Sequence, residues 1–228
     1  MRFLLALAPV VLLSPLPSAA QSAATSPKGA VAKDAGAAPA VGTGTNIYRN
    51  EALHLTYNYP ATYLDASATV GPAFQASVSN AVGGDADLTR CVTLPFSAMS
   101  SASGLSIVLL MRADAACTKK TFTVANLPEF TRGEVQGLSA SGAKPQFGAP
   151  VSFATAGHAA QLLQGSFILP TGQSMRAMVA CVLLKPDIAC FQFLGSSDEN
   201  LRTMSAFPVS FDGAPAQPLV PAATLTRP

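Results

Sequence analysis

Three long apolar runs in close succession constrain the fold of this chain more than any other feature. They lie at Gln161–Leu169, Ser174–Leu184 and Ile188–Leu194, with Thr171-Gly172 and Lys185-Pro186 between them. Apolar runs of this length that are separated by turn residues are typical of neighbouring antiparallel strands. The spacing therefore predicts a three-strand antiparallel meander in the C-terminal half of the chain.

The turn at Lys185-Pro186 determines which residues of the last two strands face each other. If the turn has two residues, Leu184 pairs with Asp187, and counting outward places Cys181 opposite Cys190 in a non-hydrogen-bonded pair, with Cα atoms about 4.5 Å apart in an ideal ladder. A longer loop, which proline at the second turn position would favour, would shift this register. In the two-residue register one face carries Met178, Ala180, Val182, Ala189, Phe191 and Phe193. The opposite face carries Val179, Leu183 and Ile188, which predicts that both sides of the sheet are covered.

Weaker periodic patterns add further strands and helices. They predict a strand over residues 54–59, a helix between Pro72 and Val82, a strand at Ser106–Met111, a helix from Asn126 to about Leu138, a helix from Ser196 to Pro208 and an edge strand near Ser210-Phe211. Together these elements indicate an α+β domain, in which an antiparallel sheet with a C-terminal three-strand meander is packed by two or three helices.

The first twenty residues have the features of a signal peptide. Arg2 gives a positive start, Phe3–Leu13 form an apolar run, and Ser18-Ala19-Ala20 predict cleavage before Gln21. The apolar run is too short for a membrane anchor, so we expect a secreted or periplasmic protein with no transmembrane segment in its mature chain.

Composition divides the rest of the chain into three parts. Residues 21–45 are rich in alanine, glycine and proline and have little to bury, so they predict a disordered linker. Residues 46–212 are long enough for a single α+β domain. Residues 213–228 contain four prolines and predict a disordered tail.

The four cysteines, Cys91, Cys117, Cys181 and Cys190, are an even set in a chain that we expect to be exported, which favours disulfides. The register above pairs Cys181 with Cys190 and leaves Cys91 to pair with Cys117. Four reduced and buried thiols are the alternative. No Cys-x-x-Cys motif is present, so redox catalysis is not indicated.

The balance of charges disfavours nucleic acid as a partner. Only 11% of the residues are charged, and residues 46–212 contain ten Lys or Arg against eleven Asp or Glu. Phosphate backbones require clustered cations, whereas only Lys119 and Lys120 are adjacent here.

The sequence predicts no catalytic residue, metal site or cofactor. His54 and His158 lie far apart in the chain, and we expect an outward strand residue and a loop residue rather than zinc ligands. Ser141-Gly142-Ala143-Lys144 and the overlapping Gly137–Ser141 lack the partner motifs of serine enzymes. Asp85 and Asp87 are expected in a solvated turn rather than around a cation.

Two short motifs resemble PsbP-like domains. They are Tyr48-Arg49-Asn50 followed by Leu53–Tyr59 and Pro60, and Gly157-His158-Ala159-Ala160 ahead of the first apolar run. The resemblance implies a central antiparallel sheet with helices packed on it, and accessory or binding roles outside a membrane, mostly without catalysis.

The resulting hypothesis is a non-catalytic exported domain that binds a protein or a cell-envelope component. A carrier of small apolar ligands is the first alternative, with an apolar pocket between sheet and helices. A hydrolase is the second alternative. The binding surface and the oligomeric state are not predicted.

Overall fold

The computed structural model describes residues 44–102, 104–140 and 143–225. The predicted signal peptide, its cleavage site and residues 21–43 of the predicted linker lie outside the described residues. Gly44 and Thr45, which were expected in that linker, instead belong to the fold. The Gly44 carbonyl accepts a hydrogen bond from the Ala61 N–H at 2.9 Å, and Thr45 begins the first strand.

The larger sheet is antiparallel, and its central strands follow the order β3-β4-β5-β10-β9-β8. Two strands share the outer edge of β8, with β7 along its first half and β6 along its second. The strands are β3 Leu64–Asp65, β4 Val92–Ser100, β5 Ser106–Ala113, β6 Lys144–Phe147, β7 Val151–Thr155, β8 His158–Ile168, β9 Ser174–Leu184 and β10 Asp187–Gly195.

A smaller antiparallel sheet is built from the two ends of the described chain, in the order β1-β2-β11-β12. Its strands are β1 Thr45–Asn50, β2 Leu55–Pro60, β11 Pro208–Phe211 and β12 Gln217–Pro218. The strand predicted near Ser210-Phe211 is therefore present, but it is not an edge strand, because β2 and β12 pair with its two sides.

Five α-helices complete the described fold. They are α1 Ser67–Ala81, α2 Ala86–Arg90, α3 Ala115–Thr118, α4 Leu127–Ala140 and α5 Asp198–Ser205, and a short 3-10 helix spans Ala222–Thr224. None of the helices in the described ranges is long and apolar enough to span a bilayer. The structure confirms a mixed fold of helices and antiparallel sheet.

The larger sheet is covered on both faces, as its two apolar faces predict. On one face the smaller sheet and α5 pack over the aromatic residues of β10, with Tyr57 in contact with Phe191 at a ring distance of 5.3 Å. On the other face α1 and α4 pack over Val179, Leu183 and their neighbours. Burial of apolar side chains on both faces is the main favourable term that holds the three layers together.

The three apolar runs form β8, β9 and β10, which are neighbours in the sheet. Lys185-Pro186 occupies a two-residue turn with a cis peptide bond, and Leu184 pairs with Asp187. Cys181 consequently faces Cys190, with Cα atoms 4.0 Å apart.

The C-terminal segment differs from the expected disordered tail. Within residues 213–225, β12 pairs with β11, and Leu219 and Val220 are almost completely buried in the core. Leu219 and Val220 stand between two prolines, and a stretch of two residues is too short to show a periodicity. Its contacts come from residues that are distant in the sequence, so the sequence did not predict this packing.

Two helices begin at other positions than the sequence predicts. Helix α1 starts at Ser67, five residues before Pro72, because Val70 is buried and the Asp65 carboxylate accepts a hydrogen bond from the Ser67 N–H at 2.8 Å. Helix α5 has Ser197 rather than Ser196 at its N-cap, with the Ser197 hydroxyl accepting from the Asn200 N–H.

Candidate binding groove

Several chain reversals meet at one end of the molecule and enclose a groove. They are the turn before β2 at His54, the β7–β8 turn at Ala156-Gly157, the β9–β10 turn at Lys185-Pro186 and the reversal after β11 at Asp212. The His54 carbonyl accepts a hydrogen bond from the Asp212 N–H at 2.9 Å, which joins two of these reversals. The cavity between them has a volume of about 520 Å³.

The backbone of this region is unusual. His54, Ala156 and Asp212 have φ values of 45°, 46° and 52°, in the left-handed region that side chains other than glycine rarely adopt. Such residues cost free energy and persist only where the surrounding structure fixes them, and they cluster at binding and active sites. Their concentration here distinguishes this end of the molecule from the remaining described surface.

The groove has two halves, and the cavity described above is the first. One polar pair spans this first half. His158 begins β8, rather than lying in a loop as expected, and its Nε2 is 3.1 Å from Oδ2 of Asp212. The imidazole also packs edge-on against the Phe211 ring, with centroids 5.5 Å apart. His54, expected as an outward strand residue, is an exposed turn residue directly before β2.

A second polar cluster supports the groove from below. Asp187 is 5% exposed; its Oδ2 accepts from Nε of Arg112 at 2.8 Å and its Oδ1 from the Ala115 N–H at 3.0 Å. Arg112 also donates to Asp114 at 3.0 Å. A buried carboxylate needs such partners, and these contacts hold the β9–β10 turn against β5 and α3.

The second half of the groove is mainly apolar and lies between the β9–β10 turn and the loop from Lys120 to Val124. Its cavity of about 530 Å³ shares Val124, Leu183, Lys185 and Pro186 with the first half. The Val124 side chain is 60% exposed at this site.

The loop beside the apolar half is fixed by neighbouring side chains. The side chain of Asn126, which directly precedes α4, accepts a hydrogen bond from the Thr123 N–H at 2.8 Å and donates one to the Thr121 carbonyl at 3.1 Å. Phe122 packs edge-on against Phe130 of α4, with ring centroids 5.6 Å apart. The loop is therefore a formed wall of the groove.

Two disulfides join the elements beside the groove, in the pairing that the sequence predicts. Cys91–Cys117 joins the end of α2 to α3, with Cα atoms 5.2 Å apart, just before the Lys120–Val124 loop. Cys181–Cys190 joins β9 and β10 close to their turn. No free cysteine is present among the described residues.

The remaining residues considered in the sequence do not form a site. Asp85 and Asp87 are both exposed, as expected of solvated residues, but they lie at the start of α2, where Asp85 accepts from the Asp87 and Leu88 N–H groups and Asp87 pairs with Arg90. Ser141 and Gly142 lie outside the described residues. Within the described ranges, no group of three or more His, Cys, Asp or Glu side chains could hold a metal ion.

Glu134 is a buried carboxyl that the sequence analysis did not single out. It is 2% exposed, and burial raises its pKa from an ordinary value of 4.5 to about 8, although a hydrogen bond from Gln192 acts in the opposite direction. Nε2 of Gln192 donates to its Oε2 at 3.0 Å. The sequence did contain a signal for this burial. Leu127, Thr131 and Glu134 are spaced four and three residues apart, which places them on one face of the helix.

No protein-family model and no curated protein matches the sequence. Among solved structures, the chain is similar in fold to PsbP (CyanoP) from Synechocystis sp. PCC 6803, at 11% identity and a TM-score of 0.45, over 74% of this chain and 90% of that one. PsbP-like domains are also the family that the two short sequence motifs resemble.

Two other solved structures are similar at lower scores. LpqN of Mycobacterium tuberculosis, described as involved in cell envelope biogenesis, has 14% identity and a TM-score of 0.34, over 50% of this chain and 75% of its own. The Saccharomyces cerevisiae Ran-binding protein Mog1p has 10% identity and a TM-score of 0.41, over 69% and 80%. Likenesses at this level concern the fold and assign no function.

Proposed function

We propose that this chain is an exported, non-catalytic domain that binds a partner protein of the cell envelope at the groove between its loops. The observation that carries the proposal is the groove itself, an open concavity formed by short reversals on a rigid sheet. Binding residues are commonly placed on loops that a rigid scaffold holds in position. The neighbouring antiparallel strands β8, β9 and β10 supply that scaffold.

The lining of the groove favours binding over catalysis, because its histidine–carboxylate pair has no hydroxyl or thiol beside it in that half of the groove. The His158 imidazole is engaged with Asp212, and the Asp187 carboxylate with Arg112 and a backbone N–H. Neither serine nor cysteine is among the residues that line the two halves of the groove, and Thr121 and Thr123 line the half whose lining has no histidine or carboxylate. A hydrolytic site would need a nucleophile or an activated water beside a general base.

Export is supported by two independent features. The N-terminal sequence has a positive start, a short apolar run and the small residues Ser18-Ala19-Ala20 before Gln21. The paired cysteines fit an oxidising compartment, where disulfides persist. We therefore expect the exported protein to have the intact mass of a chain that begins at Gln21.

Site-specific photo-crosslinking in the native host tests the proposed function. A benzophenone amino acid at Val124 should give a discrete protein adduct, because this side chain is exposed within the groove. The same amino acid at Ile168, which is 38% exposed at the opposite end of β8, is the matched control and should give none.

The adducts distinguish the possible functions. A protein adduct at Val124 alone supports the proposal. Identical adducts at both positions, or none at Val124, contradict it. An adduct that adds only the mass of a small molecule would replace it with the apolar-ligand carrier, which the mainly apolar second half of the groove would suit.

A further inference from the structure

We infer that the groove binds an acidic, apolar segment of the partner protein, whose large apolar side chain enters the second half of the groove while its carboxylates contact lysines at the rim. This inference rests on the proposed function and specifies the chemistry of the partner. It follows from the apolar surface inside the groove and from the charge around it.

The inside of the second half suits an apolar side chain. Phe122, Val124, Leu183 and Pro186 line it, and the volume of about 530 Å³ lies in the range of sites that take substantial ligand groups. Val124 is among the most exposed large apolar side chains of the described chain. Covering it would remove apolar surface from water, which favours association.

The rim of this half is cationic. Lys120 and Lys185 line it, and no acidic residue does. Lys185 forms no ion pair within the described ranges. Of the carboxylates that line the adjoining half of the groove, Asp187 is bound to Arg112 and Asp212 pairs with His158. The domain as a whole has a slight excess of acidic residues, so this cationic rim is a local feature that complements an acidic segment.

A segment of protein fits these features better than a membrane surface. Attachment to anionic lipid by electrostatics uses clusters of about four to eight Lys or Arg, and fewer line this rim. The apolar contact surface is recessed between two walls rather than displayed on a projecting face. An extended chain can place alternate side chains into such a groove and its carboxylates on the rim.

Selection from a random peptide library tests the inference with the full mature chain. Random peptides of about eight residues are displayed on phage and selected on the immobilised protein. We expect the enriched peptides to combine acidic residues with a large aliphatic or aromatic residue. A synthetic copy of an enriched peptide, labelled with fluorescein, is then titrated with each variant and followed by fluorescence anisotropy.

The variant K185E should raise the Kd of the selected peptide by about tenfold or more, because a rim cation becomes an anion. K144E, which reverses an exposed lysine on β6 away from the groove, is the matched control and should change the Kd by less than about twofold. Raising NaCl from about 50 to about 300 mM should weaken binding to the unchanged protein. Equal melting temperatures of the variants show that folding is unaffected.

Several outcomes would overturn the inference. These are enriched peptides without acidic residues, no enrichment at all, or K185E and K144E with the same Kd. The rim would be assigned to a membrane instead if phosphatidylglycerol vesicles retain the unchanged protein but not K185E, and if no peptide is enriched. A protein cross-link at Val124 together with any of these results would leave the proposed function standing and remove only the acidic partner.

Discussion

At the scale of single residues, Glu134 is a buried carboxyl whose protonation is set by its surroundings in the fold and not by its sequence neighbours. Its carboxyl is enclosed between α4 and the larger sheet, beside Gln192 of β10 and apolar neighbours such as Leu127. An ionised carboxylate is costly in that environment, so burial raises its pKa to about 8. At neutral pH the folded protein therefore holds this group mainly in its neutral form.

The stability of the protein should fall as pH rises between about 4.5 and 8 because of this group. The unfolded chain ionises Glu134 near its ordinary pKa of 4.5 whereas the folded chain retains the proton until about 8, so the unfolded state is increasingly favoured across that window. We expect a loss of roughly 3 to 5 kcal/mol in the free energy of unfolding from this residue. Urea denaturation at a series of pH values measures it.

The variant E134Q is the control for this prediction. Its amide oxygen can still accept the hydrogen bond from Gln192, but it has no proton to lose. The variant should match the unchanged protein near pH 4.5 and be the more stable of the two near pH 8.5. A constant difference between the two chains across the whole series would contradict the raised pKa.

At the scale of elements, the β9–β10 hairpin is the best-determined part of the fold. A two-residue turn, strand alternation and a disulfide all support one register, and Cys181 and Cys190 are both fully buried on the face that α1 and α4 cover. Because the turn borders both halves of the groove, the hairpin also positions Lys185. Local strand geometry is thus directly connected to the candidate site.

Alkylation of the unreduced, denatured protein followed by digestion should recover Cys181 and Cys190 in linked, unlabelled peptides. The double variant C181A/C190A should lose about 2 to 4 kcal/mol of stability, since the link no longer restricts the unfolded chain, and should keep its circular dichroism spectrum. In the control variant C91A/C117A the Cys181–Cys190 link should remain. Any link between Cys91 or Cys117 and a hairpin cysteine would disprove this register.

At the scale of the whole molecule, the two ends of the described chain meet in the smaller sheet. β1 and β2 come from its beginning and β11 and β12 from its end, and the sheet covers one face of the larger sheet. The C-terminal segment then adds Leu219 and Val220 to the same core, at 0% and 2% exposure. The folded unit therefore extends beyond the predicted limits of residues 46–212.

A chain that stops after Gly213 should be less stable by about 3 kcal/mol or more, because it loses β12 and two buried side chains. Thermal or urea unfolding of the truncated and complete mature chains measures the difference. A216S alters an exposed residue of the same segment and should stay within about 0.5 kcal/mol of the unchanged protein. Equal stability of the truncated chain would instead support the expected disordered tail. Residues 21–43, which have little to bury, are also expected to be dispensable for folding.

The sequence alone determined the features that depend on local periodicity. Continuous apolar runs predict that both faces of β9 and β10 are covered, and a two-residue turn, once assumed, specifies their register because the side-chain period of a strand is two. The pairing of the four cysteines follows from that register together with the expected compartment. The mixed class of the fold follows from the succession of strand and helix patterns.

Only the tertiary structure decided the rest, because contacts between distant residues leave no local pattern. The groove unites His54, His158 and Asp212 with the Lys120–Val124 loop, and these segments come from widely separated parts of the chain. The burial of Glu134 and of Leu219 and Val220 likewise depends on surfaces supplied by other elements. Periodicity shows which face of an element is apolar, but the partner that covers that face is fixed by packing of the whole chain.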